Sequence, residues 1–516
     1  MPNYDVINHY TYVLCGDGDL QEGISYEAMS LAGHANLGRL IVLYDSNDIQ
    51  LDGEVSLSFS ENIKGRAEAL GWEYLLVEDG NDCDKIDEAI CQAKQSVDKP
   101  TIIEIKTTIG YGAANSGESS IHGKPMSKDE VTVLRNNLAY TEPELEFPDD
   151  VKAFYLENVK KRGYEADSLW NSELIHYAED YPKEYQELLN FMDENFEIKD
   201  LSNIPTWEAG TKESTRKVMG KILDWLSSEL PNIIGGSADL SSSTMVKGAD
   251  GNYGASNPLG RNIKFGVREF AMAACVNGIT LHGGLRGFCS GFFVFSDYLK
   301  PAVRLAALMK LPSLFFFSHD TVCVGEDGPT HQPIEQLAMF RSMPNLNTVR
   351  PADATEMTSA LLQAFGKNDY PTVITSSRQA VLNLDCTDAE KAKLGAYVVY
   401  TSSKPAKNTI ISCGTELAFC VEAAKALDAK KIYANVVSMP SMFLFDQQTE
   451  EYKESVLPKA LRTVAVEMGA TMPWYKYASI VKGIDTFGAS MPINDIYEEY
   501  GFRTEDLVEY FKTVLK

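Results

Sequence analysis

The chain of 516 residues lacks the features of secreted and membrane-spanning proteins. Its nine cysteines are scattered and form no CxxC pair, a usage typical of reduced thiols rather than of a disulfide framework. No apolar run approaches the length of a membrane span, and residues 1–5 have neither the basic start nor the apolar core of a signal peptide. These absences predict a cytoplasmic protein without membrane contact.

Positive charge is also scarce, because 47 Lys and Arg stand against 73 Asp and Glu, for a net charge of -26 at pH 7. Nucleic acids and anionic membranes bind to basic surfaces, so the charge balance argues against both as partners. Anionic metabolites are still allowed as partners, since a few arginines can form a local positive site.

The remaining pattern is that of a large globular protein, with 44% hydrophobic residues and a length that suggests about three domains. Short apolar runs alternate with helical stretches in three successive segments, which predicts three α/β domains with mainly parallel sheets. We expect domains at residues 1–190, 191–388 and 389–516, with a helical connector at about 143–205. Strands are predicted at residues 12–15, 40–44, 72–77, 101–106, 233–234, 263–267, 313–318, 372–376, 409–413, 434–438 and 463–467, and a helix at 84–97.

The most informative short motif is Gly16-Asp17-Gly18, which directly follows the apolar run 12–15, interpreted as a buried strand. A second apolar run ends shortly before Asn47, so Asp17 and Asn47 both follow strands, at the edge where open α/β sheets bind ligands. The Asp17 carboxylate, the Asn47 amide oxygen and the Ile49 carbonyl suit Mg²⁺, with Ca²⁺ or Mn²⁺ as substitutes.

The glycines on both sides of Asp17 would let a diphosphate approach the backbone closely. A helix predicted to begin near Gln21 would direct its N-terminus at that anion. Alone, the motif also suits a tight turn or a helix cap. Its combination with Asn47 resembles the magnesium–diphosphate signature of thiamine diphosphate enzymes.

Seven longer motifs make the resemblance specific. They are DGDLQEGISYEAMSLAGHANLGRLIVLYDSND at 17–48, KPTIIEIKTTIGYG at 99–112, SSIHGKPM at 119–126, GGSADL at 235–240, FGVREFAM at 265–272, GEDGPTHQPIEQLA at 325–338 and SSRQAV at 376–381. Together and in this order they resemble transketolase, over essentially the whole chain. The resemblance implies transfer of a two-carbon ketol unit from a ketose phosphate to an aldose phosphate. The alternative enzyme would resemble 1-deoxyxylulose-5-phosphate synthase or dihydroxyacetone synthase, and GEDGPTHQP and SSRQ favour transketolase over the former.

The resemblance also implies roles for individual residues. Thiamine diphosphate would be bound by Gly16, Gly18, Glu22, His122, Asp239, Glu269, Phe292, Phe295 and Tyr298, and the metal by Asp17, Asn47 and Ile49. Sugar phosphate would be bound by Arg216, Ser243, His319, Asp327, His331 and Arg378. The catalytic residues would be Glu269, beside the aminopyrimidine ring, with His331 and His122.

Several of these residues have plainer interpretations when the resemblance is set aside. His122 suits a surface loop, and Glu269 suits an exposed helix carboxylate paired with Arg268. The aromatic stripe from Phe292 to Tyr298 suits ordinary core packing. Two histidines near GEDGP also raise the question of zinc, but no third ligand completes a zinc set.

The chain departs from the family in one respect. It reaches the GDG strand almost at once, whereas transketolases carry a segment before it with several histidines in GHPG-type motifs. Only His9 precedes Asp17 here. We therefore expect a first sheet with uncovered apolar surface and reduced turnover, in a homodimer with its active sites between subunits. The alternatives are an inactive transketolase-like binding protein and a chain that needs a separate N-terminal polypeptide.

The third domain, without a comparable cluster of His, Arg and carboxylates, is expected to be structural or interfacial.

Overall fold

The computed structural model describes residues 3–193, 198 and 200–515. The chain divides into two compact units, residues 1–189 and 190–516. The first unit contains one α/β domain and the second contains two, so the predicted three-domain α/β fold is confirmed. Across the described ranges, no helix is both long and apolar enough to cross a membrane.

The first unit is built around a parallel sheet with the strand order β1-β2-β6-β5. The strands of this unit, with a separate antiparallel pair β3–β4, are β1 Thr11–Gly16, β2 Leu40–Ser46, β3 Ile49–Gln50, β4 Gly53–Glu54, β5 Glu73–Val77 and β6 Thr101–Lys106. The helices up to the boundary between the units are α1 Asp17–Gln21, α2 Gly23–His34, α3 Ile63–Ala69, α4 Cys83–Ala93, α5 Lys128–Asn137, α6 Asp149–Phe154, α7 Lys161–Asp180 and α8 Pro182–Met192.

The register of this sheet places the functional motifs at one edge. Gly16 at the end of β1 lies opposite Asp45 of β2, and Ser46 lies opposite Lys106 of β6. Because the strands are parallel, the GDG motif and the turn after β2 meet at the carboxyl edge, where ligands bind in open α/β sheets. A buried cluster that includes Leu20 covers one part of the sheet.

Strand β1 is an edge strand, and the prediction that it is buried is wrong. It pairs with β2 on one side, and among the described residues no strand pairs with its other side. Tyr12, Val13 and Leu14 are therefore 46%, 39% and 81% exposed. The uncovered apolar surface expected for the first sheet lies on this strand.

The helix expected to begin near Gln21 begins four residues earlier and is interrupted. α1 starts at Asp17, and the extended backbone of Glu22, with ψ 135°, separates it from α2. The start of α1 is fixed locally, because the Gly16 N–H donates a hydrogen bond of 2.8 Å to the Asp19 carboxylate. α4 likewise ends at Ala93 rather than at residue 97.

The second domain has a six-stranded parallel sheet with the order β12-β13-β11-β10-β8-β9. Its strands, with a separate pair β7–β14, are β7 Lys212–Ser214, β8 Ile233–Ser237, β9 Asn262–Lys264, β10 Arg286–Phe292, β11 Leu314–Ser318, β12 Asn347–Val349, β13 Thr372–Ser376 and β14 Ala380–Leu382. Its helices are α9 Thr215–Glu229, α10 Ser241–Thr244, α11 Glu269–His282, α12 Ser296–Met309, α13 Gln336–Arg341 and α14 Ala354–Ala364.

The third domain contains a five-stranded sheet with the order β15-β17-β16-β18-β19, in which β15 is antiparallel. Its strands are β15 Tyr397–Tyr400, β16 Asn408–Ser412, β17 Ala434–Ser438, β18 Arg462–Val466 and β19 Ile480–Lys482. Its helices are α15 Ala389–Ala392, α16 Glu416–Asp428, α17 Met442–Asp446, α18 Glu450–Val456, α19 Ile493–Glu499 and α20 Thr504–Val514.

A buried ion network joins the second and third domains. Arg350 contacts Asp320 at 2.8 Å, Glu416 at 2.7 Å and Glu467 at 3.1 Å, and all four side chains are at most 2% exposed. Burial raises the pKa of Glu467, but the charges of Arg341 and Arg350 outweigh this effect and bring the pKa down to about 2. Loss of one partner would leave an unpaired buried charge, at a cost of about 3–5 kcal/mol, so this network fixes the third domain against the second.

Candidate active site

Asp17 occupies the carboxyl end of β1 as the first residue of α1, and it is 4% exposed. Its Oδ2 accepts hydrogen bonds from the backbone N–H groups of Asn47, at 3.3 Å, and Asp48, at 3.0 Å. The Tyr44 hydroxyl donates to Oδ1. Burial raises the pKa of Asp17, and these hydrogen bonds oppose the rise. The carboxylate is thus fixed against the turn that follows β2.

The other two predicted metal ligands lie in that turn. The Asn47 Oδ1 accepts a hydrogen bond of 3.0 Å from the Ile49 N–H, which fixes the amide. Asp17, Asn47 and Ile49 all line one cavity of about 670 Å³. The structure therefore brings the three oxygen donors to the same cavity.

The chemistry of these donors fits a hard divalent cation. Lys106, which also lines the cavity, pairs with Glu104 at 2.6 Å. Within the described ranges Asp17 has no ion-pair partner within 4.0 Å, and a buried carboxylate without a counter-ion is costly. No group of three His, Cys, Asp or Glu side chains suited to a metal occurs in the part of the chain that the structure describes. A cation here would instead use one carboxylate with amide and carbonyl oxygens, as Mg²⁺ does.

The glycines of the GDG motif border open space. A Cβ added to Gly18 would meet no atom within 4 Å, and one added to Gly16 would meet only Asp19 Oδ2, at 3.9 Å. Glu22, the third cofactor-binding residue predicted in this region, is exposed between α1 and α2. This backbone leaves room for a diphosphate to approach.

His122 lies just after the short helical turn Ser119–Ile121. Its Nδ1 is buried and has no hydrogen-bond partner among the described residues. Because an unsatisfied buried polar atom costs about 1–3 kcal/mol, a bound ligand that supplies the missing partner would be favoured. The ring is therefore suited to a ligand contact.

In the second unit, Arg216 and Arg378 form a site of positive charge. Arg216 Nη1 donates to the Ser243 carbonyl at 2.6 Å, but its buried Nε has no partner in the described ranges. Arg378 makes no hydrogen bond or ion pair with any described residue. Burial, and then the charge of Arg378, lower the pKa of Arg216. Two guanidinium groups without carboxylate partners are suited to binding a phosphate.

His319 lies beside these arginines, directly after β11, and is 3% exposed. Its backbone is left-handed, with φ 64°, an uncommon conformation for a residue other than glycine. Its Nδ1 lies 2.8 Å from the Ser318 hydroxyl. Burial, followed by the charges of Arg216 and Arg378, lowers the pKa of His319 to about 3. The ring is therefore neutral at pH 7 and suited to hydrogen bonding with a hydroxyl group.

Two of the three predicted aromatic residues contact the two histidines. The Phe292 ring lies 4.0 Å from that of His319, and the Phe295 ring lies 5.5 Å from that of His331, between centroids. The ring centroids of Phe295 and Tyr298 are 6.4 Å apart. These residues do not form one helical stripe: Phe292 ends β10, Phe295 ends a 3₁₀ turn and Tyr298 lies in α12. The plainer interpretation as ordinary core packing is wrong for Tyr298, which is 64% exposed.

The remaining predicted residues also lie near the carboxyl ends of the strands of this sheet. Asp239 follows β8 with a left-handed backbone, at φ 60°, and is exposed. Glu269 is the first residue of α11 and is half-buried. Asp327 is exposed and ends the turn Gly325–Asp327 in the loop after β11.

The sequence interpretation missed polar residues that line the first-unit cavity. The Glu104 carboxylate accepts hydrogen bonds from Ser46, at 3.0 Å, and from Tyr74, at 2.7 Å, and pairs with Lys106. Glu104 and Lys106 alternate with isoleucines at the end of β6. Charged residues at the carboxyl end of an otherwise apolar parallel strand are the signal that would have identified them.

Comparison with known families matches three successive parts of the chain. The family described as "Transketolase, thiamine diphosphate binding domain" matches residues 1–196, and "Transketolase, pyrimidine binding domain" matches residues 211–382. The "Transketolase-like TK C-terminal domain" matches residues 395–503. The chain belongs to the transketolase family. It is a transferase with the family's thiamine diphosphate-binding domains.

Curated transketolases align with nearly the full chain. The enzyme of Geobacillus stearothermophilus is 45% identical over an alignment that covers 99% of this chain and 78% of the relative. The enzyme of Bacillus subtilis is 46% identical over an alignment that covers 99% of this chain and 79% of the relative. Among solved structures, transketolase from Leishmania mexicana superposes with a TM-score of 0.96 at 36% identity, over 100% of this chain and 77% of that one. A Pichia stipitis transketolase, in complex with sedoheptulose-7-phosphate, superposes equally well at 35% identity, with the same coverage.

These comparisons support transketolase function and give no support to the expected loss of turnover. They also give no support to the two alternatives, an inactive binding protein and a chain that needs a separate polypeptide. The domain boundaries and the individual site residues stay predictions.

Proposed function

We propose that this transketolase transfers a two-carbon ketol unit from a ketose phosphate to an aldose phosphate, with thiamine diphosphate and Mg²⁺, in the cytoplasm. The observation that carries the proposal is the pair Arg216 and Arg378, which lack carboxylate partners in the described ranges and lie beside the neutral His319. This set suits a substrate that bears both a phosphate and hydroxyl groups. Transketolase structures from Pichia stipitis, in complex with xylulose-5-phosphate and sedoheptulose-7-phosphate, support the same substrate class.

The cofactor would be held by two groups of residues. In the first unit, Asp17, Asn47 and Ile49 would bind the Mg²⁺ of the diphosphate, with Gly16, Gly18, Glu22 and His122 near the diphosphate and thiazolium. In the second unit, Phe292, Phe295 and Tyr298 would contact the aminopyrimidine ring, with Asp239 and Glu269 near it. When bound, thiamine diphosphate supplies a carbon nucleophile for the cleavage and formation of carbon–carbon bonds.

The protein's own groups would then bind and orient the sugar. Arg216 and Arg378, with Ser243, would hold the phosphate at one end of the chain of hydroxyl groups. His319, Asp327 and His331 would hydrogen-bond to the hydroxyl groups. Orientation of this kind lowers the entropic barrier to reaction, so that small displacements of the sugar are costly. Glu269 would hold the proton that activates the aminopyrimidine.

Turnover is the direct test of this function. The purified chain, with thiamine diphosphate and Mg²⁺, is expected to convert xylulose 5-phosphate and ribose 5-phosphate, as followed by product analysis. Hydroxypyruvate serves as an unphosphorylated donor. Absence of ketol transfer with both donors, from a chain that binds the cofactor, would refute the proposed function.

Replacement of Arg378 by Ala is expected to discriminate between these donors. Loss of a charge-assisted hydrogen bond to phosphate costs roughly 1.5–3 kcal/mol, so kcat/KM for the phosphorylated donor should fall about 10- to 150-fold. The value for hydroxypyruvate should change far less. Arg39→Ala is the matched control, because Arg39 pairs with Asp5 on the surface of the first unit. An equal loss for both donors would show that Arg378 does not contact the phosphate.

The proposed homodimer is supported by an exposed apolar face on α12. Tyr298, Leu305, Leu308 and Met309 are 64%, 47%, 67% and 44% exposed, and their spacing places them on one side of the helix. An exposed apolar face of this kind is typical of a protein interface. In sedimentation velocity, the parent chain should sediment as a dimer and Leu308→Asp as a monomer, with Leu76→Asp as a control on the first unit. A monomeric parent at micromolar concentration would contradict the proposal.

A further inference from the structure

The residues predicted to contact sugar hydroxyls lie on one long loop of the second domain. This substrate loop, residues 319–332, follows β11 and carries His319, Asp327 and His331. Two of its glycines, Gly325 and Gly328, have left-handed backbones, with φ 82° and 73°. Glycine has more conformational freedom than any other residue, so contacts from outside the loop are needed to hold it in one conformation.

Those contacts come from the third domain, which sequence analysis expected to be structural or interfacial. The segment concerned, residues 488–497, follows β19 and ends in α19; we call it the brace segment. The Ser490 hydroxyl donates a hydrogen bond of 2.6 Å to the carbonyl of Glu326, the neighbour of Asp327. The buried Gln332 Nε2 donates to the Ala489 carbonyl at 3.0 Å. The two segments are therefore joined at both ends of the turn that carries Asp327 and His331.

The two segments leave little room for a Cβ atom at two of their glycines. A Cβ added to Gly328 would lie 3.1 Å from the Ser490 Cβ. One added to Gly488 would lie 2.0 Å from Gln332 Oε1, well inside van der Waals contact. The brace segment thus restricts the loop sterically as well as through hydrogen bonds.

Apolar packing extends the same contact. Val322 and Cys323 of the substrate loop belong to one buried cluster with Ile484 and Ile496 of the third domain. The Cys323 Sγ lies 3.5 Å from the Met468 Sδ. This cluster anchors the start of the loop in the core that it shares with the third domain.

The brace segment also reaches the residue next to the predicted phosphate ligand. The Tyr497 hydroxyl of α19 lies 3.5 Å from Nε2 of Gln379, which follows Arg378. A Cβ added to Gly325 would lie 3.9 Å from Arg378 Nη1 and 3.4 Å from Ile493 Cγ1. Arg378, the loop and α19 therefore meet around Gly325.

We propose that the brace segment is a positioning element of the sugar-binding site, with Ser490 and the close approach at Gly488 as its main determinants. The inference rests on the proposed function, which assigns the substrate loop to sugar binding. The third domain would not touch the reacting atoms. It would fix the backbone beside Asp327 and His331, so that these side chains meet the hydroxyl groups without a further loss of loop entropy on binding.

Ser490→Ala and Gly488→Ala test this role in the full-length chain. Both variants are expected to raise hydrogen–deuterium exchange in residues 322–332, where the His331 N–H bonds to the Gly328 carbonyl at 2.9 Å. The KM for a ketose phosphate should rise about 2- to 10-fold in Ser490→Ala, the range set by the net contribution of one hydrogen bond. The dissociation constant for thiamine diphosphate should not change. Ser490→Thr, which retains a hydroxyl, should restore KM.

Ser455→Ala is the matched control, because the Ser455 hydroxyl donates to the Tyr452 carbonyl at 2.7 Å on α18. It should leave both exchange and KM unchanged. Unchanged exchange of the loop in both Ser490→Ala and Gly488→Ala would overturn the proposal. A lowered unfolding temperature with unchanged KM would show a merely structural role, and would overturn it as well. If the parent transfers no ketol unit and the two variants still show faster loop exchange, the proposed function would be refuted. The role of the brace segment in holding the loop would stand.

Discussion

Replacement of Glu269 by Gln is expected to slow exchange of the thiazolium C2 proton of bound thiamine diphosphate by about 10²–10⁴-fold. A carboxyl group hydrogen-bonded to the aminopyrimidine favours the tautomer whose exocyclic nitrogen accepts that proton. Gln preserves the shape of the side chain but cannot transfer a proton. Exchange is measured by NMR on the cofactor-loaded protein, so the result does not depend on sugar turnover.

Metal binding should be nearly unchanged in this variant, since Glu269 lies at the start of α11 in the second unit and the predicted metal ligands lie in the first. Glu229→Gln, at the exposed end of α9, is the matched control and should exchange at the parent rate. Parental exchange in Glu269→Gln would show that this carboxyl group does not sustain the reactive tautomer.

The proximity of Asp17 and Asn47 was predictable because it follows from strand order alone. Gly16 ends β1 and Ser46 ends the neighbouring parallel strand β2, so the residues that follow them, Asp17 and Asn47, must lie close together. Apolar runs that end in polar turns are visible in a sequence, and they identify such an edge without tertiary information. The exposure of β1 was not predictable in the same way, because an apolar run does not show whether the strand has one neighbour or two.

The second-unit site was predicted from family motifs rather than from periodicity. Phe292 lies on a strand, β10, that was missed because its sequence RGFCSGF contains glycine, cysteine and serine rather than β-branched residues. The contact between Phe292 and His319 depends on the pairing of β10 with β11, which no local pattern encodes. The role of the third domain was missed for a related reason. Ser490 acts through its position and through a backbone carbonyl, neither of which gives a sequence signal.

Replacement of Asp17 by Ala is expected to abolish Mg²⁺-dependent retention of thiamine diphosphate while the fold is kept. Asp17 supplies the carboxylate among the three predicted oxygen ligands, and it is buried without an ion-pair partner in the described ranges. Calorimetric titration with thiamine diphosphate, with and without Mg²⁺, measures the effect directly. In the parent, Mg²⁺ should tighten cofactor binding strongly, and in the variant it should not.

The structure also predicts a graded series that separates a metal site from a helix-capping role for Asp17. Tyr44→Phe removes the hydroxyl that donates to the Asp17 carboxylate, and loss of such a supporting contact typically weakens metal binding about 10- to 100-fold. Asp17→Asn, which keeps an oxygen but loses the charge, should weaken Mg²⁺ binding more than Tyr44→Phe does. Asp52→Asn, on the exposed turn nearby, should have no effect. If Asp17 were only a cap, all three variants would bind the cofactor and Mg²⁺ like the parent, and Asp17→Ala would lower only the unfolding temperature.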